Sequence, residues 1–114
     1  MVFLSHSVTA TSITDFYVYQ TDYDIQTKQE TFSAYLLKGE PCLTVSLFKN
    51  NEKTTYCEMG DSGLNLSKEF PTIYVQNLFV SGPNVYFNVV APWNEQSCRI
   101  FVPKNKITCE ATGN

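Results

Sequence analysis

The residues of this chain best placed to do chemistry are its four cysteines, Cys42, Cys57, Cys98 and Cys109. Four cysteines allow three pairings, and their spacing singles out one. Cys42 and Cys57 are equidistant from Lys49-Asn50, inside the turn-forming run Lys49-Asn50-Asn51-Glu52. Cys98 and Cys109 are equidistant from Pro103-Lys104, inside Pro103-Lys104-Asn105. If each run is a hairpin turn, each cysteine faces its mate across two antiparallel strands. Opposed Cβ atoms there stand about 4.5–5.5 Å apart, within easy adjustment of disulfide distance. The predicted bridges are Cys42–Cys57 and Cys98–Cys109, each stabilising on the order of 3 kcal/mol. Free thiols would require both pairs to straddle turns by chance. A zinc site fits less well still, because no C-x-x-C occurs and the only histidine, His6, is far from every cysteine. Disulfides persist in oxidising compartments, so the expected location is secreted and extracellular.

No catalytic constellation stands out. His6 is the sole base of its kind and sits near the chain start, a poor place for a Ser-His-Asp or Cys-His arrangement. Two close carboxylate pairs, Asp22 with Asp24 and Glu58 with Asp61, have the residue types of glycoside hydrolysis. In turns such residues usually serve solvation and local hydrogen bonding. Asp22-Tyr23-Asp24 lacks the ligand set and the glycine of a calcium loop. The expectation is a non-enzymatic protein without cofactor or metal.

Composition bounds the partners. With a net charge of −3, one arginine (Arg99) and scattered lysines, the chain lacks the basic stripe that nucleic acid requires. No window approaches the roughly 18 apolar residues of a membrane span. Charged residues are 17% and hydrophobic residues 43% of the 114, which argues for a folded core. Met1–Ser7 has neither the charged start nor the apolar run of a signal peptide. The cysteines favour a mature chain whose signal was replaced by a starting Met.

The elements that must hold the cysteines read as short alternating runs cut by turn signals. Strands are expected at 12–20, 31–38, 42–48, 54–58, a short one at Leu64 and Leu66, 72–80, 84–90, 97–102 and 106–110. No stretch carries a helical period over three turns, and no internal repeat is visible. The expected fold is all-β, a single-domain antiparallel β-barrel or β-sandwich of about nine strands with two local hairpin disulfides. Residues 1–11 read as a flexible N-terminal tail and 12–114 as the single domain. Asn65-Leu66-Ser67 is a lone glycosylation sequon.

Tyrosine supplies a large rigid contact with a polar tip, which suits binding surfaces. Along the first strand, alternation puts Tyr17 and Tyr19 on one face with Asp15, and Phe16 and Val18 on the other. With Phe16 and Val18 inward, Tyr17 and Tyr19 project outward; together with Tyr23 and Trp93 they form the candidate binding surface. The plainer alternative is that the tyrosines cover a second sheet layer.

In this order the residues resemble a family of small secreted fungal proteins typified by the major allergen of Alternaria, which includes elicitors of plant-pathogenic fungi. The resemblance is carried by Ile13-Thr14-Asp15-Phe16-Tyr17, then Cys42, then Tyr56-Cys57, then the late pair Cys98 and Cys109, and it runs from Ile13 nearly to the end. It implies a β-barrel or β-sandwich and a secreted effector or elicitor perceived by a plant host protein or receptor, inducing defence or cell death. The allergen has an extra N-terminal cysteine that links two subunits. This chain has none before Cys42, so a monomer or a non-covalent dimer is expected. A small-ligand carrier with a barrel mouth or an aromatic cleft lined by Tyr17, Tyr19 and Trp93 is the alternative reading. An extracellular immunoglobulin-like recognition domain, whose disulfide would join the two sheets, is the second.

Overall fold

The computed structural model describes residues 15–113. The expected tail at 1–11, His6 and Ile13 lie outside the described residues.

Among the described residues eight strands are formed: β1 (Phe16–Thr21), β2 (Phe32–Leu37), β3 (Leu43–Leu47), β4 (Lys53–Tyr56), β5 (Tyr74–Ser81), β6 (Asn84–Val90), β7 (Gln96–Phe101) and β8 (Lys106–Ala111). They make two four-stranded antiparallel sheets in simple sequence order, β1-β2-β3-β4 and β5-β6-β7-β8. Alternation decides which side chains go inward. In β2 and β3 these are Phe32, Ala34, Leu36, Leu43 and Val45; in β6 and β7 they are Val85, Phe87, Val89, Cys98 and Ile100. Both inner faces contribute to one buried cluster.

The barrel alternative is corrected by this topology: among the described residues no strand pairing joins the two sheets. β1 and β5 are the neighbouring edges, and each carries an extra residue. Phe16 pairs with Leu37 while Val18 pairs with Leu36, so Tyr17 is surplus in β1. In β5 the register slips between Gln76 and Phe79, where Asn77 takes a left-handed φ of 59°. Bulges bend a strand and break its ladder, and facing bulged edges are poor partners for pairing. On the other flank the 3₁₀ turn Gly60–Ser62 lies against β8. Gly60 is favoured there by its left-handed φ of +58°, and it packs closely on the backbone of Cys109.

The ninth strand is also corrected. Leu64 and Leu66 do not make a strand; only an isolated bridge, Glu58 to Asn65, precedes one turn of helix, α1 (Leu66–Glu69). Asn65 Oδ1 accepts from the backbone N–H groups of Ser67 and Lys68, and Glu69 Oε1 accepts from the N–H of Asn65. These bonds satisfy donors that a helix start leaves open, which favours the turn over a strand.

The two sheets share one plan although their sequences do not repeat. Each opens on a bulged strand, and each has a disulfide between its third and fourth strands. Cys42–Cys57 extends the Leu43–Tyr56 register by one pair, with Cα atoms 4.8 Å apart. Cys98–Cys109 is itself a ladder pair, with Cα atoms 4.1 Å apart. Both bridges are those expected from the turn symmetry, and neither joins the two sheets. The immunoglobulin-like alternative thereby loses the inter-sheet bridge it depends on.

Candidate functional site: an aromatic cleft beside the unpaired seam

The bulge in β1 overturns the expected face assignment. The extra residue sends Phe16 outward rather than inward, where its ring meets Tyr19 at 4.9 Å and Tyr35 at 5.3 Å; Tyr19 and Tyr35 stack at 6.0 Å. Val18 packs on the core as expected. Tyr17 and Tyr19 therefore part company. Tyr19 belongs to an aromatic cluster on the outer face of the first sheet, whereas Tyr17, 69% exposed, stands at the seam between the sheets. The second sheet has a smaller outer cluster of the same kind, Phe79 stacked on Tyr86 at 5.1 Å.

Beside Tyr17 a cleft of about 310 Å³ opens between the sheets. Its floor is Leu36 and Val75, its walls are Pro41 and Pro71, and Phe70 and Tyr74 stand at its rim with Tyr17. Phe70 and Tyr74 are 47% and 44% exposed, so three aromatic side chains that a core would normally cover are left open around one concavity. Lys38 and Glu40 place one charge of each sign at the edge. The Lys38 N–H donates to the carbonyl of Asp15 at 2.9 Å, which ties the start of β1 to the end of β2 at this point. A second space of about 400 Å³ continues along the seam past the β5 bulge; it shares Tyr17, Leu36 and Val75 with the first. The two bulges thus keep open a slot that strand pairing would have sealed. Its chemistry suits apolar or ring-containing ligands held by burial and stacking.

The other expected surface residues do not join this cleft. Tyr23 lies past the far end of β1 in the loop to β2, and Trp93 is in the turn between β6 and β7; both are more than half exposed and neither lines the cleft. Phe70, Pro71 and Tyr74 were missed by sequence reasoning, because nothing local in 70–74 refers to Tyr17 across fifty residues of chain.

Of the carboxylates singled out for chemistry, Asp22 and Asp24 are engaged in local hydrogen bonds. Asp22 accepts from the Thr31 hydroxyl and from the N–H groups of Thr31 and Phe32. Asp24 accepts from Gln26 N–H and Thr27 N–H. Both hold the β1–β2 loop closed, the role expected of turn carboxylates. Partial burial works to raise the Asp22 pKa, but the Thr31 hydroxyl and the Phe32 and Thr31 N–H groups outweigh it and hold the group below its ordinary 3.8. A folded-state pKa that is depressed adds stability above the unfolded value and loses it as pH falls through the folded one. Asp22→Asn is therefore expected to be less stable than wild type at pH 7, with the gap closing below about pH 4; urea melts across that range read it directly. Glu58 lies in the bridge to Asn65 and Asp61 within the 3₁₀ turn Gly60–Ser62, and among the described residues no group of three or more His, Cys, Asp or Glu is gathered as a metal site. Tyr56, on the inner face of β4, has a buried hydroxyl with no partner among the described residues, and burial pushes its phenol up.

Comparison with protein-family models, with curated proteins and with solved structures gives no match to this chain.

Proposed function

We propose that this protein is a secreted, non-enzymatic effector or elicitor that is perceived by a plant host protein or receptor and triggers defence or cell death. The observation that carries the reading is the pair of in-sheet bridges, Cys42–Cys57 and Cys98–Cys109, standing in the order and positions on which the family resemblance rests. Bridges of this kind belong to oxidising compartments. Among the described residues no helix is long and apolar enough to cross a membrane. The stapled sheets also present aromatic side chains outward, Phe16, Tyr19 and Tyr35 on one and Phe79 and Tyr86 on the other, and rigid aromatic contacts are what recognition surfaces use. Infiltration of the oxidised protein into leaves tests the reading. A defence or cell-death response at micromolar dose is expected, and its absence with the fold intact overturns it.

A specific observation favours a second reading, a small-ligand carrier: the cleft of about 310 Å³ rimmed by Tyr17, Phe70 and Tyr74. Trp93, more than half exposed and outside the cleft, is not its reporter. Calorimetric titration with a panel of phenolic and lipid compounds is the suitable measurement. A bound compound should lose about tenfold in affinity, near 1.4 kcal/mol, when Tyr17→Ala removes one stacking wall. A panel without any heat of binding removes this reading and leaves the first untouched.

A further inference from the structure

We infer that Asn65 is an N-glycan acceptor whose side chain caps α1 with one atom and carries the sugar on the other. The sequon Asn65-Leu66-Ser67 spans the start of the helix. Two backbone N–H groups, of Ser67 at 2.9 Å and Lys68 at 3.1 Å, point at the Asn65 side chain, so the atom facing them is the acceptor Oδ1. The amide is planar, and fixing Oδ1 against the helix start turns Nδ2 the other way, off the helix. Nδ2 makes no hydrogen bond among the described residues, and neither does the Ser67 hydroxyl. Ser67, Lys68 and Gly63 around it are exposed or half-exposed, and Asn65 borders an open depression formed with Glu58, Gly60 and Glu69.

The nitrogen is surplus to the fold. Aspartate or serine caps a helix about as well as asparagine, so the cap itself calls for an oxygen and nothing more. What only asparagine supplies here is the amide nitrogen, and that is the atom to which an N-glycan is joined. The sequon's other members agree with the same division of labour: Leu66 is fully buried and anchors the turn, while Ser67 contributes only its backbone N–H to the cap and leaves its hydroxyl open. Sugar on Nδ2 leaves both cap bonds in place, so the glycosylated and bare forms share one fold. The glycan would stand at the other end of the single-turn α1 from Phe70, beside Gly60 and Gly63, and Asn65 is not itself among the residues that line the cleft.

The inference rests on the reading that the chain is exported, and its test imposes export. The whole chain is produced in a eukaryotic cell behind an added secretion signal. Wild type is expected as a retarded species that endoglycosidase returns to the mobility of the bare polypeptide. Asn65→Asp and Ser67→Ala are each expected to abolish the shift while keeping the thermal midpoint of deglycosylated wild type, because Asp retains the acceptor oxygen and residue 67 retains its N–H. Secreted, fully oxidised wild type of unshifted mass overturns the inference, as does a shift that survives Asn65→Asp. A glycan with no leaf response would leave this site standing while the elicitor reading fails, and the reverse result separates them equally well.

Discussion

Replacing Cys98 and Cys109 together with alanine lowers the unfolding free energy by about 3 kcal/mol or more, and by more than the same change at Cys42 and Cys57. Loop closure alone barely separates the two bridges. Their sequence separations are 11 and 15 residues, which in the chain-entropy account differ by only ~0.3 kcal/mol in favour of the longer loop. Packing reverses that order. Cys98 is 2% exposed and belongs to the buried cluster, with Ile100 beside it on the same inner face. Cys42 and Cys57 are both half-buried at the margin of the first sheet. Losing Cys98 therefore adds a void inside the buried cluster to the lost cross-link, whereas Cys42, only half-buried against the margin of that cluster, leaves a smaller one. Urea melts at matched m-values measure both. If the Cys42/Cys57 variant proves the weaker of the two, the buried sulfur is not contributing to the core.

The second large effect belongs to Phe87. This ring is 2% exposed at the middle of β6, between Val85 and Val89 on the same inner face, and both of those are fully buried. Phe87→Ala should cost about 3–5 kcal/mol through lost burial and a cavity that sheets held by ladder bonds cannot close. Against a typical total of roughly 5–15 kcal/mol that is enough to leave the domain partly unfolded. Phe79 is the matched control. It is one strand away, of the same residue type but 51% exposed on the outer face, so Phe79→Ala should fall well short of that figure. Phe87 is also the ladder partner of Cys98. The Phe87 and Cys98 effects should consequently fail to add, since they empty adjoining parts of one space.

These contrasts show what the sequence made legible. Strands such as 84–90 were readable because alternation and Ser81-Gly82-Pro83 fix both their faces and their ends. The bridges were readable because a hairpin turn makes distance in sequence equal to position across a ladder. The bulges were not. One surplus residue at Tyr17, and another at Asn77, inverts every face assignment on one side of it, and neither has a glycine to announce it. Val75 and Leu78 are both buried although they are three apart, an arrangement that strict alternation forbids and a bulge permits. Residues 64–69 misled for a different reason. Leu64 and Leu66 alternate like a strand, while the signal for a helix lay in polar groups: Asn65 accepts from the Ser67 and Lys68 N–H groups, and Glu69 reaches back to accept from the Asn65 N–H. The cleft was least legible of all, being assembled from two strand edges and a connecting turn that meet only after both sheets have stacked.

The meander order of both sheets reaches beyond the native state, to how the chain gets there. Every ladder joins strands that follow one another along the polypeptide, so each forms by closing a short loop, at little entropic expense. Each thiol likewise meets its proper mate within 15 residues, before any distant sulfur comes within reach. Oxidative maturation should thus run nearly free of scrambled isomers, each half knitting its own crosslink ahead of the docking that creates the cleft.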